Sequence, residues 1–250
     1  MKLVYDSPGE GIGRITLTAP PTNAFTRPDF EDRAVLGRFL AREDLKGVIV
    51  RGAGHHFSSG ADPASLASMI GRPAELGAAL EAGKALLDEI SFATVPVAAS
   101  IRGSCLGAGM EVALACHFRI ASMNAILGLP ESGLGLIPGL GGTLLAQEAA
   151  GRRVAIEMIL SGRMIGAREA LGAGLLDAVE ETAVLEEASM AFLRSLVADR
   201  PPHLIRGIME SIHNARRMSR TDALSRETRI FLDVARRGSE VAAGGGPSRG

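Results

Sequence analysis

IRGSCLGAGMEVALACHFRIASMNAILGLPESGLGLIPGLGGT, residues 101–143, is the stretch around which the chain is organised. It sets two carboxylates, Glu111 and Glu131, in apolar, glycine-rich surroundings. A carboxylate taken out of water is costly unless it is paired or used. Burial also raises its pKa toward the range where it exchanges protons near neutrality. The small residues Gly107-Ala108-Gly109 let backbone N–H groups come close to a ligand. Ala108–Ala115 reads as a helix, so Glu111 falls in a first turn, where an acidic residue also simply suits the helix dipole. Glu131 follows Pro130 in a loop, and a lone loop glutamate is usually solvated. The weight lies on finding both inside segments this apolar.

Working outward, Val95–Ile101 reads as a buried strand, Gly103–Gly107 as a turn, and Phe118–Ala121 and Ala125–Gly128 as strands. Upstream, Leu3–Tyr5 and Ile12–Thr18 are strands joined by the turn chemistry of Asp6–Gly11. Helical spacing predicts a helix over Pro28–Leu40, then a short buried strand over Gly47–Arg51. Asp62 and Pro63 read as the cap and first position of a helix reaching Met69, and a longer helix follows over Ala74–Ile90. From Thr143 the pattern predicts helices only: to Ala149, then Val154–Leu160, Ala167–Leu171, Ala183–Ala198, Pro202–Asn214 and Asp222–Arg236. The tail Ala242–Gly250 is low in complexity and is expected to be disordered. Strands alternating with helices and then helices alone predict an α/β core with a helical end.

The 250 residues carry a net charge of −1, so no general attraction to nucleic acid or anionic membrane is implied. From Arg200 onward ten Arg stand against five Asp or Glu, which reads as a solvated helical face, subunit contacts or phosphate-facing arginines. Cys105 and Cys116 lie among apolar residues and read as buried thiols. No apolar run reaches the roughly 18 residues of a membrane span, and no signal peptide is visible at MKLVYD. A cytoplasmic location is the expectation.

Several chemistries fail on spacing. Gly107-Ala108-Gly109 has Val112 and Gly139-Leu140-Gly141 has Leu144 where a dinucleotide fingerprint needs its third glycine. The one serine with glycine at both −2 and +2, Ser248, lies in the low-complexity tail with no strand before it or helix after it, so it makes no nucleophile elbow, and H-E-x-x-H is absent. His55 and His56 are adjacent, and His117, His203 and His213 are scattered; each reads as structural or surface, and no metal site is expected.

Three blocks are similar to signatures of the crotonase (enoyl-CoA hydratase/isomerase) superfamily: F-x-x-G-A-D at 57–62, LGAGMEVALACH at 106–117, and P-E-x-G-L-G-L-I-P-G-x-G-G-T at 130–143. Asn23-Ala24, Leu160–Arg163 and Gly174–Asp177 resemble the family as well, so the resemblance covers roughly residues 1–235. It implies a crotonase (ClpP-like) fold of repeated ββα units in a spiral core over 1–190. A helical oligomerisation region over 191–240 and a tail over 241–250 would follow. It implies a thioester carbonyl held between the backbone N–H groups of Ala61 and Ala108. It also implies substrate contacts from Ala24, Ser59, Gly60, Asp62, Pro63, Gly107, Pro130 and Gly139. Glu111 and Glu131 would serve as an acid/base pair, Glu111 mainly activating water and Glu131 mainly protonating Cα. The activity implied is 2-enoyl-CoA hydration, with isomerisation or dehydration on the same oxyanion hole as the alternative. A non-catalytic binding protein of this fold is the reading from another class, and the two retained carboxylates weigh against it. Coenzyme A enters as part of the substrate, with no separate cofactor. The partners implied are acyl-CoA and further copies of the chain, as a homotrimer or dimer of trimers.

The sequence departs from the family at three points. Ala108 stands where glycine is common, at a cost of about 1 kcal/mol if φ is positive there and none if it is helical. Pro63-Ala64 replaces an aliphatic residue and Lys near the CoA phosphates. The basic C-terminal segment that helps cover the CoA adenine in relatives is not recognisable.

Overall fold

The structure, a computed structural model, describes residues 1–244. It opens with the hairpin β1 (Lys2–Gly9) and β2 (Ile12–Thr18), longer than the sequence indicates because β1 runs through Asp6 across an irregularity between Asp6 and Gly9. Then come α1 (Arg33–Leu40), β3 (Gly47–Gly52), α2 (Pro63–Ile70) and α3 (Pro73–Ser91). β4 (Val97–Ile101), β5 (Ser104–Leu106), α4 (Ala108–Ala115), β6 (Phe118–Ser122) and β7 (Ile126–Gly128) follow. A 3-10 turn over Pro130–Leu134 leads to α5 (Gly142–Ser161), β8 (Ile165–Gly166), α6 (Ala167–Gly172) and β9 (Ala178–Glu180). The chain continues as α7 (Leu185–Val197), α8 (Pro202–Arg217) and α9 (Arg220–Gly244).

Six strands form the main sheet in the order β1-β2-β3-β4-β6-β9, antiparallel at the hairpin and parallel from β2 onward. Val48 sits opposite Val97, Ala98 opposite Phe118 and Ile120 opposite Ala178. β3 and β4 read as unbroken apolar runs because helices cover both faces of a parallel sheet. A second sheet, β5-β7-β8, stands beside it and carries the loops of the site.

Four expectations need correction. Gly103–Gly107 is not only a turn: Ser104–Leu106 is a strand, held by pairing to β7 and by a bridge from Cys105 to Ser58. The region beyond residue 130 is not helices only, since β8 and β9 pair with β7 and β6. These strands are two or three residues long, and only tertiary pairing makes them strands. The first helix starts at Arg33 rather than Pro28, capped by Asp32, whose carboxylate accepts from the Ala34 N–H at 2.7 Å. The two helices expected over 143–160 are halves of α5, broken at Gly151, where φ is 81°.

The division expected at residue 190 falls inside α7, whose Leu185, Met190, Leu193 and Val197 are buried. The helical end is therefore α8 and α9. The tail expected from Ala242 begins within α9, and residues 245–250 lie outside the described residues. His213 ties α8 to the core: it is buried, bonds to the Ala93 carbonyl oxygen at 2.9 Å and stacks on His117 at 5.5 Å. His117 accepts from the Val97 N–H at 2.9 Å, and His56 from the Ser104 N–H at 3.1 Å, so all three imidazoles support the fold. Both cysteines are buried free thiols.

Candidate active site

Gly107 turns the chain from β5 into α4 with φ 50° and ψ −125°, a conformation that favours glycine. Ala108 takes the first helical position, with no positive φ, so its methyl group costs nothing there. An N–H in the first turn of a helix has no acceptor within the helix and is open to a ligand. One turn on, Glu111 is 1% exposed. Its Oε1 accepts from the N–H groups of Leu140 at 2.7 Å and Gly142 at 2.8 Å. Gly142 opens α5, so the positive end of a second helix faces the same oxygen. With Oε1 held twice, Oε2 is the oxygen left to exchange a proton. Burial pushes the Glu111 pKa up to about 7, and the charge of Glu131 adds to the rise, while the two backbone donors oppose it.

Glu131 sits in the 3-10 turn behind Pro130, half-buried, with its pKa raised by loss of water. Its carboxylate lies against Gly107: a Cβ on that glycine would stand 3.1 Å from Glu131 Oε1. Its Oε2 is buried and has no hydrogen-bond partner among the described residues. Two carboxyl groups thus converge near the start of α4, one fixed by backbone donors and one with an open oxygen. Like charges this close favour holding one proton between them.

The other half of the site comes from residues 57–62. Phe25 and Ala61 form a parallel bridge through Phe25 N–H to Gly60 O at 2.8 Å and Asp62 N–H to Phe25 O at 2.8 Å. The Ala61 N–H takes no part in that bridge and points the other way. Gly60, with φ 89°, could not carry a side chain, since its Cβ would lie 2.7 Å from the Leu106 carbonyl oxygen. The segments bearing Ala61 and Ala108 therefore run side by side at backbone contact.

The remaining residues expected at the site lie around this centre. Ala24 is half-buried beside the Phe25–Ala61 bridge. Ser59 Oγ donates to Thr22 Oγ1 at 3.0 Å. Asp62 caps α2 by accepting from the Ser65 N–H at 2.8 Å, and Pro63 is the exposed first residue of that helix, so both have a local structural task. Gly139 packs against Leu80 of α3, just before the two donors to Glu111. Sequence reading quotes Asn23 only within the family resemblance and gives neither it nor Ser58 a role; both are fully buried. An Asn just after a Pro-Pro loop signals a left-handed turn, and Asn23 has φ 54°; nothing in the spacing marks Ser58.

The sequence matches the family described as Enoyl-CoA hydratase/isomerase over residues 8–241. A probable enoyl-CoA hydratase of Bacillus subtilis (strain 168) is 34% identical over 223 residues, 88% of this chain and 85% of that protein. The crystal structure of an enoyl-CoA hydratase from Bacillus anthracis superposes with a TM-score of 0.84 at 29% identity, covering 94% of this chain and 92% of that one. A putative enoyl-CoA hydratase from Thermobifida fusca, solved in complex with CoA, superposes with a TM-score of 0.79 at 29% identity over 96% of this chain and 94% of that one.

Proposed function

Since the chain belongs to the enoyl-CoA hydratase/isomerase family and has its crotonase fold, we propose that it adds water across the 2,3 double bond of a 2-enoyl-CoA. The observation that carries this is the convergence of two dehydrated carboxyl groups beside a pair of backbone N–H groups. An isomerisation needs one proton carrier; hydration must also hold a water, and a second carboxylate supplies that.

In this reading the thioester carbonyl lies between the N–H groups of Ala61 and Ala108. Negative charge that grows on its oxygen as the enolate forms meets two fixed donors and the N-terminus of α4. Losing one such donor typically costs about 10²–10³ in rate. Glu111 Oε2 takes a proton from the water that attacks Cβ. Glu131, protonated at its open Oε2, returns a proton to Cα. The pair starts the cycle with one proton, and each member contributes about 10²–10⁴ in rate. The CoA-bound structure of the Thermobifida fusca relative supports CoA as the carrier of the acyl group. Among the described residues no helix is long and apolar enough to cross a membrane.

The test is the loss of enoyl-thioester absorbance with short, medium and aromatic 2-enoyl-CoAs, with products weighed by mass spectrometry. Gain of one water is the expected result. Rearrangement without mass change would replace hydration by isomerisation, and no turnover of any chain length would remove the reading.

A further inference from the structure

The two N–H groups assigned to the thioester carbonyl lie on different segments, so something must fix their spacing. We infer that Ser58 and Asn23 are the positioning residues that do this; the inference rests on the thioester reading above.

Ser58 is bonded to both halves of the site. Its backbone N–H donates to the Ser104 carbonyl oxygen at 2.9 Å, and its carbonyl oxygen accepts from the Leu106 N–H at 3.0 Å. These bonds fix it to β5, which runs directly into Gly107 and Ala108. Its side chain faces the other half: Oγ donates to the Asn23 carbonyl oxygen at 2.7 Å and accepts from the Gly60 N–H at 3.1 Å, one residue before Ala61. A Cβ on Gly109 would stand 2.6 Å from Ser58 Cβ, so the helix start is pressed onto the same residue.

Asn23 holds the far side. Its Nδ2 donates to the carbonyl oxygens of Ala53 at 2.9 Å and His56 at 2.8 Å, with that of Phe57 at 3.3 Å, and its Oδ1 accepts from the Ala19 N–H at 3.0 Å. One amide therefore gathers the loop that leads into Ser58, Gly60 and Ala61. Both residues are 0% exposed, so losing either leaves backbone groups unpaired where water does not reach. A buried Ser and Asn could serve stability alone. What marks Ser58 is that its bonds end on Gly60, the neighbour of Ala61, and on Leu106, two residues before Ala108, while Asn23 holds Ser58 through its carbonyl oxygen and gathers the loop before it.

Ser58→Ala removes both side-chain bonds and adds no atoms. Asn23→Gly keeps the left-handed backbone and removes the amide. Displacements of about 1 Å near a reaction centre cost about 10²-fold; we expect kcat to fall about 10–100-fold in each variant while KM changes only a few-fold. The decisive readout is vibrational: the carbonyl stretch of butyryl-CoA, isotopically labelled at the thioester carbon and bound to wild type and to each variant, with thermal melting recorded in parallel. The wild type should shift the stretch to lower frequency, and both folded variants should lose most of that shift. A variant that melts earlier yet keeps the full shift and kcat overturns the positioning role and leaves a structural one. If the wild type binds butyryl-CoA and shifts nothing, the oxyanion hole itself is wrong, and the thioester reading fails with it.

Discussion

Glu111 is stabilised by position and destabilised by charge. Folding raises its pKa from the ordinary 4.5 to about 7. Its contribution to stability is therefore fully present below about pH 4.5 and is lost as pH rises through 7. Glu111→Gln keeps an oxygen for the Leu140 and Gly142 N–H groups and removes the charge. It should melt a few degrees higher than wild type at pH 8, with the gap closing by pH 5, since about 1 kcal/mol moves Tm by roughly 2–4 °C at this size. Its turnover should fall about 10²–10⁴-fold, as steady-state kinetics would measure; a near-wild-type rate would remove Glu111 from the chemistry. The same shift predicts a kcat/KM profile for hydration that declines on the alkaline side near pH 7, as the pair loses its shared proton. Both glutamates were legible in the sequence because charge inside apolar segments is conspicuous. Ser58 was not, because its task lies in bonds to residues 35 and 46 positions away, which no local pattern encodes.

At the scale of elements, the start of α5 is as much part of the site as α4. Its Gly142 delivers one of the donors to Glu111, and a Cβ there would stand 2.8 Å from Pro138 Cβ and 3.0 Å from Glu111 Oε1. Gly142→Ala should therefore displace the carboxylate and lower kcat at least about 10-fold, while a spectrum in the far ultraviolet shows the fold retained. By contrast, Asp62 serves α2 through its cap, and Asp62→Ala should cost about 1 kcal/mol, read from denaturant midpoints. Helix α2 was readable from its cap Asp62, and the buried strands β3 and β4 from their apolar runs. β5, β8 and β9 were not, because periodicity needs more residues than two or three, and their partners lie elsewhere in the chain.

The whole molecule presents a broad apolar surface near the site. Leu134, Ile137, Leu144 and Leu160 are 57–76% exposed, and Gly162 brings the end of α5 against Pro130 and Ser132. Apolar surface of this kind marks association sites, as the homotrimer or dimer of trimers implied by the family resemblance would need. Sedimentation should give a trimer or a dimer of trimers for the wild type and smaller species for Leu160→Asp. The fold class followed from alternating strand and helix patterns, whereas the pairing of two sheets around residues 57–62 and 104–108 emerges only in three dimensions. In the proposed reaction the two glutamates add water to an enoyl thioester held by the Ala61 and Ala108 N–H groups. It is tested most directly by incubating a 2-enoyl-CoA with the protein in heavy-oxygen water and locating the label. The expected product is a 3-hydroxyacyl-CoA labelled at C3, formed by wild type and nearly abolished in Glu111→Gln and Glu131→Gln. An unlabelled product, or equal labelling by both variants, would contradict it.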